Sequence, residues 1–126
     1  MVKHLPLGAS AVAKRFGHVK YSSGYLVEGA GGDNEVEYIS LETTTDTTAT
    51  NGGTYIDVIP VNEVIEWIAL TDITPVQATH VGTDVDFSDD LSLALAATTD
   101  KVFHIDNIFS AADKLVVGRF NKPALA

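Results

Sequence analysis

The chain has 126 residues, a length that supports one folded domain with a sizeable core. Hydrophobic residues make up 45% of the sequence and charged residues 20%, which argues against a disordered or fibrous protein, and the absence of cysteine excludes disulfides and thiolate metal sites. The net charge of −9 opposes binding to nucleic acid or to anionic lipid, and there is no apolar run long enough for a membrane span, so neither partner is expected.

Residues 1–34 differ from the rest of the chain in glycine content and in charge. Six of the ten glycines fall here, which is typical of an irregular segment. Residues 1–27 contain four basic side chains and no acid, so they carry +4 while the remainder carries −13. This asymmetry predicts a basic arm that docks on an acidic surface, and a chance distribution of the basic residues is the alternative.

Local signals within this segment leave its conformation open. Ser10 favours a short capped helix over residues 11–16, and an extended segment is the alternative. The glycine-rich stretch 29–34 predicts a turn between arm and body. The sequence therefore predicts an N-terminal arm over residues 1–34 and a single β-barrel-like domain over residues 35–126.

From residue 35 onward the pattern predicts β structure. Residues 35–42 alternate polar and apolar side chains and predict a strand, and residues 55–61 predict the strand that returns from the tight turn at Asn51-Gly52-Gly53. Pro60 indicates a sheet edge or a strand end, because proline cannot donate a ladder hydrogen bond.

Residues 64–70 are the most apolar segment and predict a central strand. A period of two places Ile68 and Leu70 on the same face as Glu66, and it places Trp67 and Ala69 on the other face. The two faces of this strand are therefore expected to meet different surroundings.

The C-terminal third predicts further strands. Val85 and Phe87 are expected to point inward and Asp84 and Asp86 outward. Residues 88–97 carry both a helix-capping signal and a period of two, and a strand is favoured. Two more strands are predicted over residues 101–109 and 115–120, joined by the loop 110–114. Six or seven short strands without convincing helices predict an all-β fold with a small antiparallel β-barrel.

The search for catalytic and metal chemistry returns weak candidates. The acidic run 84–90 opens like a calcium loop, but Asp89 stands where the loop needs glycine and Leu95 stands where it needs a bidentate glutamate. The four histidines lack zinc spacing, so no metal, cofactor or enzymatic activity is expected. His104 and Asp106 lie two residues apart on one strand face and would suit a base in a small hydrolase, although no nucleophile motif accompanies them.

The body and its closing segment, residues 97–123, resemble small head decoration, or cement, proteins of tailed bacteriophages. The resemblance covers residues 35–123 and rests on Thr/Ala-rich loops, an all-β body, the absence of cysteine and an N-terminal arm. It implies a β-barrel or β-tulip fold and a homotrimer at junctions between subunits of the major capsid protein. It also implies a virion structural protein that is made in the host cytoplasm, lies on the outer capsid surface and stabilises the capsid.

Under this hypothesis the arm is the capsid-binding site, because its basic and apolar side chains suit an acidic groove with small apolar pockets. The predicted capsid-binding residues are Val2, Lys3, His4, Leu5, Lys14, Arg15, Phe16 and Lys20. The alternative function is a carbohydrate-binding or tail-associated β-module, in which Trp67, Tyr38 and Tyr55 would form an exposed stacking platform.

Overall fold

The computed structural model describes residues 1–64 and 66–121. Its regular structure is almost entirely β, which confirms the predicted all-β class. The helical elements among the described residues are a 3-10 turn at Val61–Glu63 and a short helix α1 at Gln77–His80. The twelve strands found there are β1 (Lys3–Pro6), β2 (Val12–Ala13), β3 (His18–Ser22), β4 (Tyr25–Glu28), β5 (Tyr38–Ser40), β6 (Thr44–Thr45), β7 (Tyr55–Pro60), β8 (Trp67–Thr71), β9 (Asp84–Phe87), β10 (Ser92–Ala94), β11 (Phe103–Ser110) and β12 (Leu115–Phe120).

The first half of the chain forms a five-stranded antiparallel sheet in the order β1-β7-β5-β3-β4, which we call the sheet lobe. Its first strand, β1, pairs with β7, with Leu5 opposite Ile56. Strands β3 and β4 form a hairpin whose turn residues Ser23 and Gly24 have φ of 52° and 86°. Positive φ at both positions is the requirement of the two-residue turn whose twist matches that of the strands. The small strands β2 and β6 pair with each other.

The predicted N-terminal arm over residues 1–34 is wrong, because this segment contributes β1, β3 and β4 to the sheet lobe. Val19 and Leu26 are almost fully buried, and β3 pairs with β5 across the predicted boundary between arm and body. The short helix considered for residues 11–16 is replaced by the extended strand β2. Glycine content was interpreted as irregular structure, whereas Gly24 supplies the turn of a hairpin that packs into the core.

The second half of the chain forms a five-stranded barrel. Its strands pair in the order β10-β8-β12-β11-β9, and β9 pairs back to β10, so that each strand has two neighbours. The β8–β10 contact is parallel and the others are antiparallel. The predicted six or seven strands are too few, because the prediction does not include β6 or the four strands of the N-terminal segment.

Several predicted elements are confirmed. Strands β5 and β7 pair as the two arms of the predicted hairpin, and Pro60 is the last residue of β7. Strands β11 and β12 are joined by a short loop, and β10 lies within the ambiguous segment 88–97. In β8, Ala69 is 6% exposed while Ile68 is 46% exposed, so the strand separates its two faces as expected.

The sheet lobe and the barrel pack against each other through a shared core. The larger hydrophobic cluster fills the barrel and also includes Val36, Ile39 and Val61 from the first half of the chain. A smaller cluster fills the sheet lobe. Because residues of the sheet lobe complete the barrel's cluster, the two halves bury apolar surface on each other and form one body.

Asp86 is a second correction, because it is 5% exposed rather than outward-facing. Its carboxylate accepts hydrogen bonds from the backbone N–H groups of Asp100 and Lys101, both at 2.8 Å, and of Thr99 at 3.2 Å. A buried carboxylate is tolerated when such donors replace water. Asp86 therefore anchors the connection that leads into β11, a role that alternation along a strand does not reveal.

Candidate functional site

The outer side of β8 and β12 carries aliphatic side chains where a barrel surface is ordinarily polar. The register places Leu70 opposite Leu115 and Ile68 opposite Val117. Ile68 and Leu70 are exposed by 46% and 42%, and Leu115 and Val117 are half-buried. Two aliphatic cross-strand pairs therefore face away from the barrel core.

Two phenylalanines extend this apolar surface on its flanks. Phe109, near the end of β11, is 61% exposed. Phe16, in the loop after β2, packs edge-on against Trp67 with the ring centroids 5.8 Å apart, and its backbone N–H donates to the carbonyl of Ser40 at 2.7 Å. We call the resulting surface the barrel face and define it by Phe16, Ile68, Leu70, Phe109, Leu115 and Val117.

Shallow hollows cross the barrel face. One hollow of about 390 Å³ lies on the β10 side and includes Leu70, Leu91 and Arg15 in its lining. A second hollow of about 400 Å³ lies on the β11 side and includes Glu66, Phe109 and Val117. Both contain Trp67 and Ile68, so the hollows adjoin each other. Open apolar hollows of this kind accept side chains of a protein partner more readily than they enclose a small molecule.

Two opposite charges lie at the rim of the barrel face. The guanidinium carbon of Arg15 lies 4.8 Å from the centroid of the Phe16 ring, a cation–π contact. Glu66 precedes β8 and is exposed. Across residues 1–64 and 66–121, neither side chain forms an ion pair. Both charges therefore remain available to a partner that covers the face.

The predicted capsid-binding residues do not form one site, because the structure divides them among four places. Val2, Lys3, His4 and Leu5 lie in or next to β1, at the edge of the sheet lobe. The His4 ring stacks on Tyr55 with a centroid separation of 5.3 Å. We call this surface, with the exposed Met1 and Val2, the β1 edge.

Lys20 belongs to a partly buried ionic cluster rather than to a contact surface. Its Nζ lies 2.7 Å from Asp33, whose other carboxylate oxygen lies 2.9 Å from Nε2 of the buried His18. Partial burial raises the pKa of Asp33, but the hydrogen bonds from Lys20, from the Ala30 N–H and from His18 outweigh this effect, and the pKa lies below its ordinary value. The Lys20 charge is thus used inside the fold.

Lys14 is likewise engaged within the molecule. Its Nζ lies 3.6 Å from Asp90 and 3.6 Å from Glu28. The negative charge of Asp90, followed by that of Glu28, raises the pKa of Lys14 above its ordinary value. The excess of basic residues in the N-terminal segment therefore pairs in part with acids of the same chain. Arg15 and Phe16 lie on the barrel face, and the contact of these residues with a capsid stays a prediction.

The aromatic platform predicted for a carbohydrate-binding module does not form. Tyr38 is buried, and its hydroxyl contacts that of Tyr21. Burial, followed by the hydrogen bond that the neutral Tyr38 hydroxyl makes with Tyr21, raises the pKa of Tyr38 to about 12. Tyr55 lies on the β1 edge, whereas Trp67 lies in the barrel between Phe16 and Phe120. The three predicted aromatic rings therefore do not share a surface.

His104 lies in a polar cluster with two carboxylates. Asp106, its predicted partner, is farther from the imidazole than Asp84 is. Its Nδ1 lies 2.8 Å from Asp84, and its Nε2 lies 3.7 Å from Asp106. Asp106 also pairs with Arg119 at 3.2 Å. The hydrogen bond from Asn121, followed by that from His104, lowers the pKa of Asp84 below its ordinary value. The imidazole is held between two carboxylates, and Asp84 rather than Asp106 orients it.

Sequence reasoning missed the barrel face apart from Arg15 and Phe16. The available signal was the alternation in β8, which already places Ile68 and Leu70 on one face with Glu66. Leu115 and Val117 show the same period around the buried Val116. A strand that is apolar on both faces indicates either a buried strand or a contact surface, and only the observed exposure decides between them.

Comparisons with protein-family models, with curated proteins and with solved structures find no match to this chain. Within the part of the chain that the structure describes, no helix has the length and apolar character needed to cross a membrane. The described residues also contain no group of three or more His, Asp or Glu side chains arranged to hold a metal ion.

Proposed function

We propose that the chain is a virion structural protein that decorates and stabilises a preassembled bacteriophage capsid by binding at junctions between capsid subunits. The observation that carries this proposal is the barrel face, in which phenylalanine and aliphatic side chains remain uncovered next to a complete core. Proteins that act as monomers seldom expose a contiguous apolar patch of more than a few hundred Å² unless it is a contact site. Such a face suits a protein that contributes binding free energy rather than chemistry.

A second contact surface supports a role in bridging. The β1 edge presents the exposed Met1 and Val2 beside Lys3 on a sheet whose outermost strand is β1. The chain just beyond β1 bridges to β4 through Leu7 and Leu26, so the open part of this edge is its N-terminal end, where a lysine favours side-chain contact with an acidic partner. A body with contact surfaces on both its lobes can join two neighbours in a lattice. We therefore assign the contacts with the major capsid protein to the barrel face and to the β1 edge, the latter through Val2, Lys3, His4 and Leu5.

Decoration by a folded edge strand differs energetically from decoration by a flexible arm. A flexible arm loses conformational freedom when it docks, whereas β1 is already ordered by its pairing with β7. A ligand that binds only the intact lattice stabilises that lattice by mass action. Saturating decoration is therefore expected to raise the temperature at which the shell disrupts, with the protein located on the outer virion surface.

The test uses shells assembled without this protein. We expect the purified chain to co-sediment with them in saturable amounts and to raise their disruption temperature. Lys3→Glu is expected to lower the occupancy at limiting protein concentration, because it places a negative charge against the acidic partner. Lys101→Glu, in the exposed connection before β11, is the matched control with the same change in net charge. Failure of the wild-type chain to bind, or binding without a change in disruption temperature, would overturn the proposal.

A further inference from the structure

We propose that Asn51 is a deamidation site, and that hydrogen bonds from the segment that follows β1 suppress its reaction in the folded protein. Asparagine is among the thermolabile residues of proteins, because its side-chain amide can be lost without an enzyme. Asn51 lies in the turn that precedes β7. The proposal goes beyond capsid binding and does not depend on it.

The sequence distinguishes Asn51 from the other four asparagines of the chain. Asn51 is followed by Gly52, whereas the others are followed by glutamate, isoleucine or lysine. Glycine has no Cβ, so it leaves the approach to its own nitrogen open and lets the backbone bend towards the preceding side chain. Asn51 is also exposed, so water has access to its side chain. The Asn51–Gly52 pair is therefore the one at which a side-chain amide is expected to cyclise onto the backbone.

The reaction joins the backbone of Gly52 to the side chain of Asn51. The Gly52 nitrogen gives its proton to a solvent base and attacks Cγ of Asn51. The C–N bond of the side-chain amide then breaks, and ammonia leaves after taking a proton from water. Water opens the resulting cyclic imide at either carbonyl and produces an aspartate or, where the chain continues through the former side chain, an isoaspartate. The net change consumes one water and releases one ammonia, so water is the sole co-reactant.

In the folded chain, the segment that follows β1 holds both reacting groups. The Gly52 N–H donates to the carbonyl of Leu7 at 2.9 Å, so the attacking nitrogen is held towards another partner. The Oδ1 atom of Asn51 accepts from the backbone N–H of Ala9 at 2.8 Å, which fixes the side-chain amide. Leu7 is itself anchored, because its side chain is fully buried and its N–H donates to the carbonyl of Thr54 at 2.8 Å. Ring closure therefore requires this segment to move away from the turn.

Because the hydrogen bond to Leu7 has to break, the same opening that exposes the Gly52 amide to hydrogen exchange also permits deamidation. The burial of Leu7 and several hydrogen bonds oppose this opening, so we expect the folded chain to deamidate about tenfold or more slowly than the unfolded chain. An isoaspartate adds a methylene group to the backbone and displaces the hydrogen-bonding groups on either side of it. Each chain that forms an isoaspartate is therefore expected to hold the segment after β1 less firmly.

The experiment incubates the full-length chain at mildly alkaline pH, folded in buffer and unfolded in urea. Peptide mass spectrometry measures the conversion at Asn51, and Asn107, which is followed by Ile108, is the internal control that should remain unmodified in both states. Hydrogen exchange of the Gly52 amide is measured on the folded chain. We expect the ratio of the folded to the unfolded deamidation rate to match the fraction of time for which this amide is open to exchange. Asn51→Gln should remove the conversion, since a longer side chain closes a larger ring more slowly.

Leu7→Val loosens the segment after β1, and Ile105→Val is its matched control. Each substitution removes one methylene group from a fully buried side chain, but Leu7 belongs to the cluster of the sheet lobe and Ile105 to that of the barrel. We expect Leu7→Val to raise the exchange rate of the Gly52 amide and the deamidation rate of the folded chain by the same factor. Ile105→Val should leave both rates unchanged, because the opening is local. Circular dichroism establishes that both variants are folded.

Three outcomes would overturn the inference: a folded chain that deamidates as fast as the unfolded chain, equal acceleration by the two variants, or slow conversion at Asn51 while the Gly52 amide exchanges freely. None of these measurements involves the shell, so their results leave the proposed function as it stands.

Discussion

The sheet lobe and the barrel each enclose a hydrophobic cluster, but their outer surfaces differ in composition. The sheet lobe carries polar contacts near its surface, among them the partly buried Lys20–Asp33 pair and the exposed His4–Asp57 pair. The barrel has the larger buried cluster and nevertheless leaves Ile68 and Leu70 uncovered. Because the barrel core is complete without these two side chains, their exposure is not a requirement of folding. The difference indicates that the barrel, rather than the sheet lobe, carries the main apolar contact surface.

The largest expected effect separates the core of the barrel from its face. Phe103 is fully buried and packs edge-on against Phe120 with the ring centroids 5.3 Å apart. Phe103→Ala is expected to lower the free energy of unfolding by about 3–5 kcal/mol. Urea unfolding followed by Trp67 fluorescence measures this change.

The matched control for Phe103 is Phe109→Ala, which removes the same ring from the barrel face. Because this ring is exposed, its removal should change the free energy of unfolding by less than about 0.5 kcal/mol. Equal losses for the two variants would show that the face belongs to the core, and the comparison between the lobes would fail.

The second prediction concerns the ionic contacts of the sheet lobe. Asp33→Asn removes the charge that Lys20 and the buried His18 both contact. Leaving these donors without a carboxylate is expected to cost about 1–3 kcal/mol of unfolding free energy. Asp57→Asn is the control, because its pair with His4 is exposed and should be worth less than about 0.5 kcal/mol. A loss for Asp33→Asn as small as that for Asp57→Asn would mean that the cluster does not stabilise the lobe.

Acid stability provides a third prediction for the same lobe. The backbone N–H of Ser10, followed by the Thr48 hydroxyl, lowers the pKa of Asp46 to about 2, against an ordinary value of 3.8. A lowered carboxyl pKa stabilises the fold at all pH values above 3.8, and this contribution is lost as the pH falls from 3.8 towards 2. Urea midpoints at several pH values should therefore fall over this interval. Asp46→Asn should lower the midpoint at pH 5 and weaken its dependence on pH; an unchanged slope would contradict the assignment.

The smallest expected effect lies on the barrel face itself. Ile68→Thr keeps a β-branched side chain but replaces a methyl-bearing group with a hydroxyl at an exposed position. We expect the free energy of unfolding, measured by thermal unfolding of the dilute chain, to change by less than about 0.5 kcal/mol. A larger destabilisation, seen without any change in mass, would show that the exposed aliphatic residues support the fold rather than a partner.

The sequence allows prediction of the elements whose partners are close along the chain. The β11–β12 pairing joins strands across a short loop, and the two faces of β8 follow from its period of two. Strand β1 is not predicted, for the opposite reason. β1 pairs with β7, with His4 opposite Asp57. A local sequence pattern does not indicate a partner so far along the chain.

The candidate site shows the same limit. Arg15 and Phe16 were predicted to bind a partner, but as part of a flexible arm rather than beside Trp67. Their surface arises from a contact between the loop after β2 and the barrel. The charge asymmetry was also misinterpreted, because net charge along a chain does not show that Lys20 and Asp33 neutralise each other after folding.

The order in which the two lobes become complete has a consequence for biosynthesis. All five strands of the sheet lobe have been synthesised by residue 60, whereas the barrel ring lacks a member until β12 emerges at residues 115–120. At a translation rate of about 5–20 residues per second, this interval lasts about 3–12 s. Throughout it, the cluster that holds Val36, Ile39 and Val61 is incomplete, because its barrel members are added one after another until Val116 is made. The nascent chain therefore passes through a partly folded state that exposes hydrophobic side chains. Ribosome-associated chaperones can bind this exposed surface.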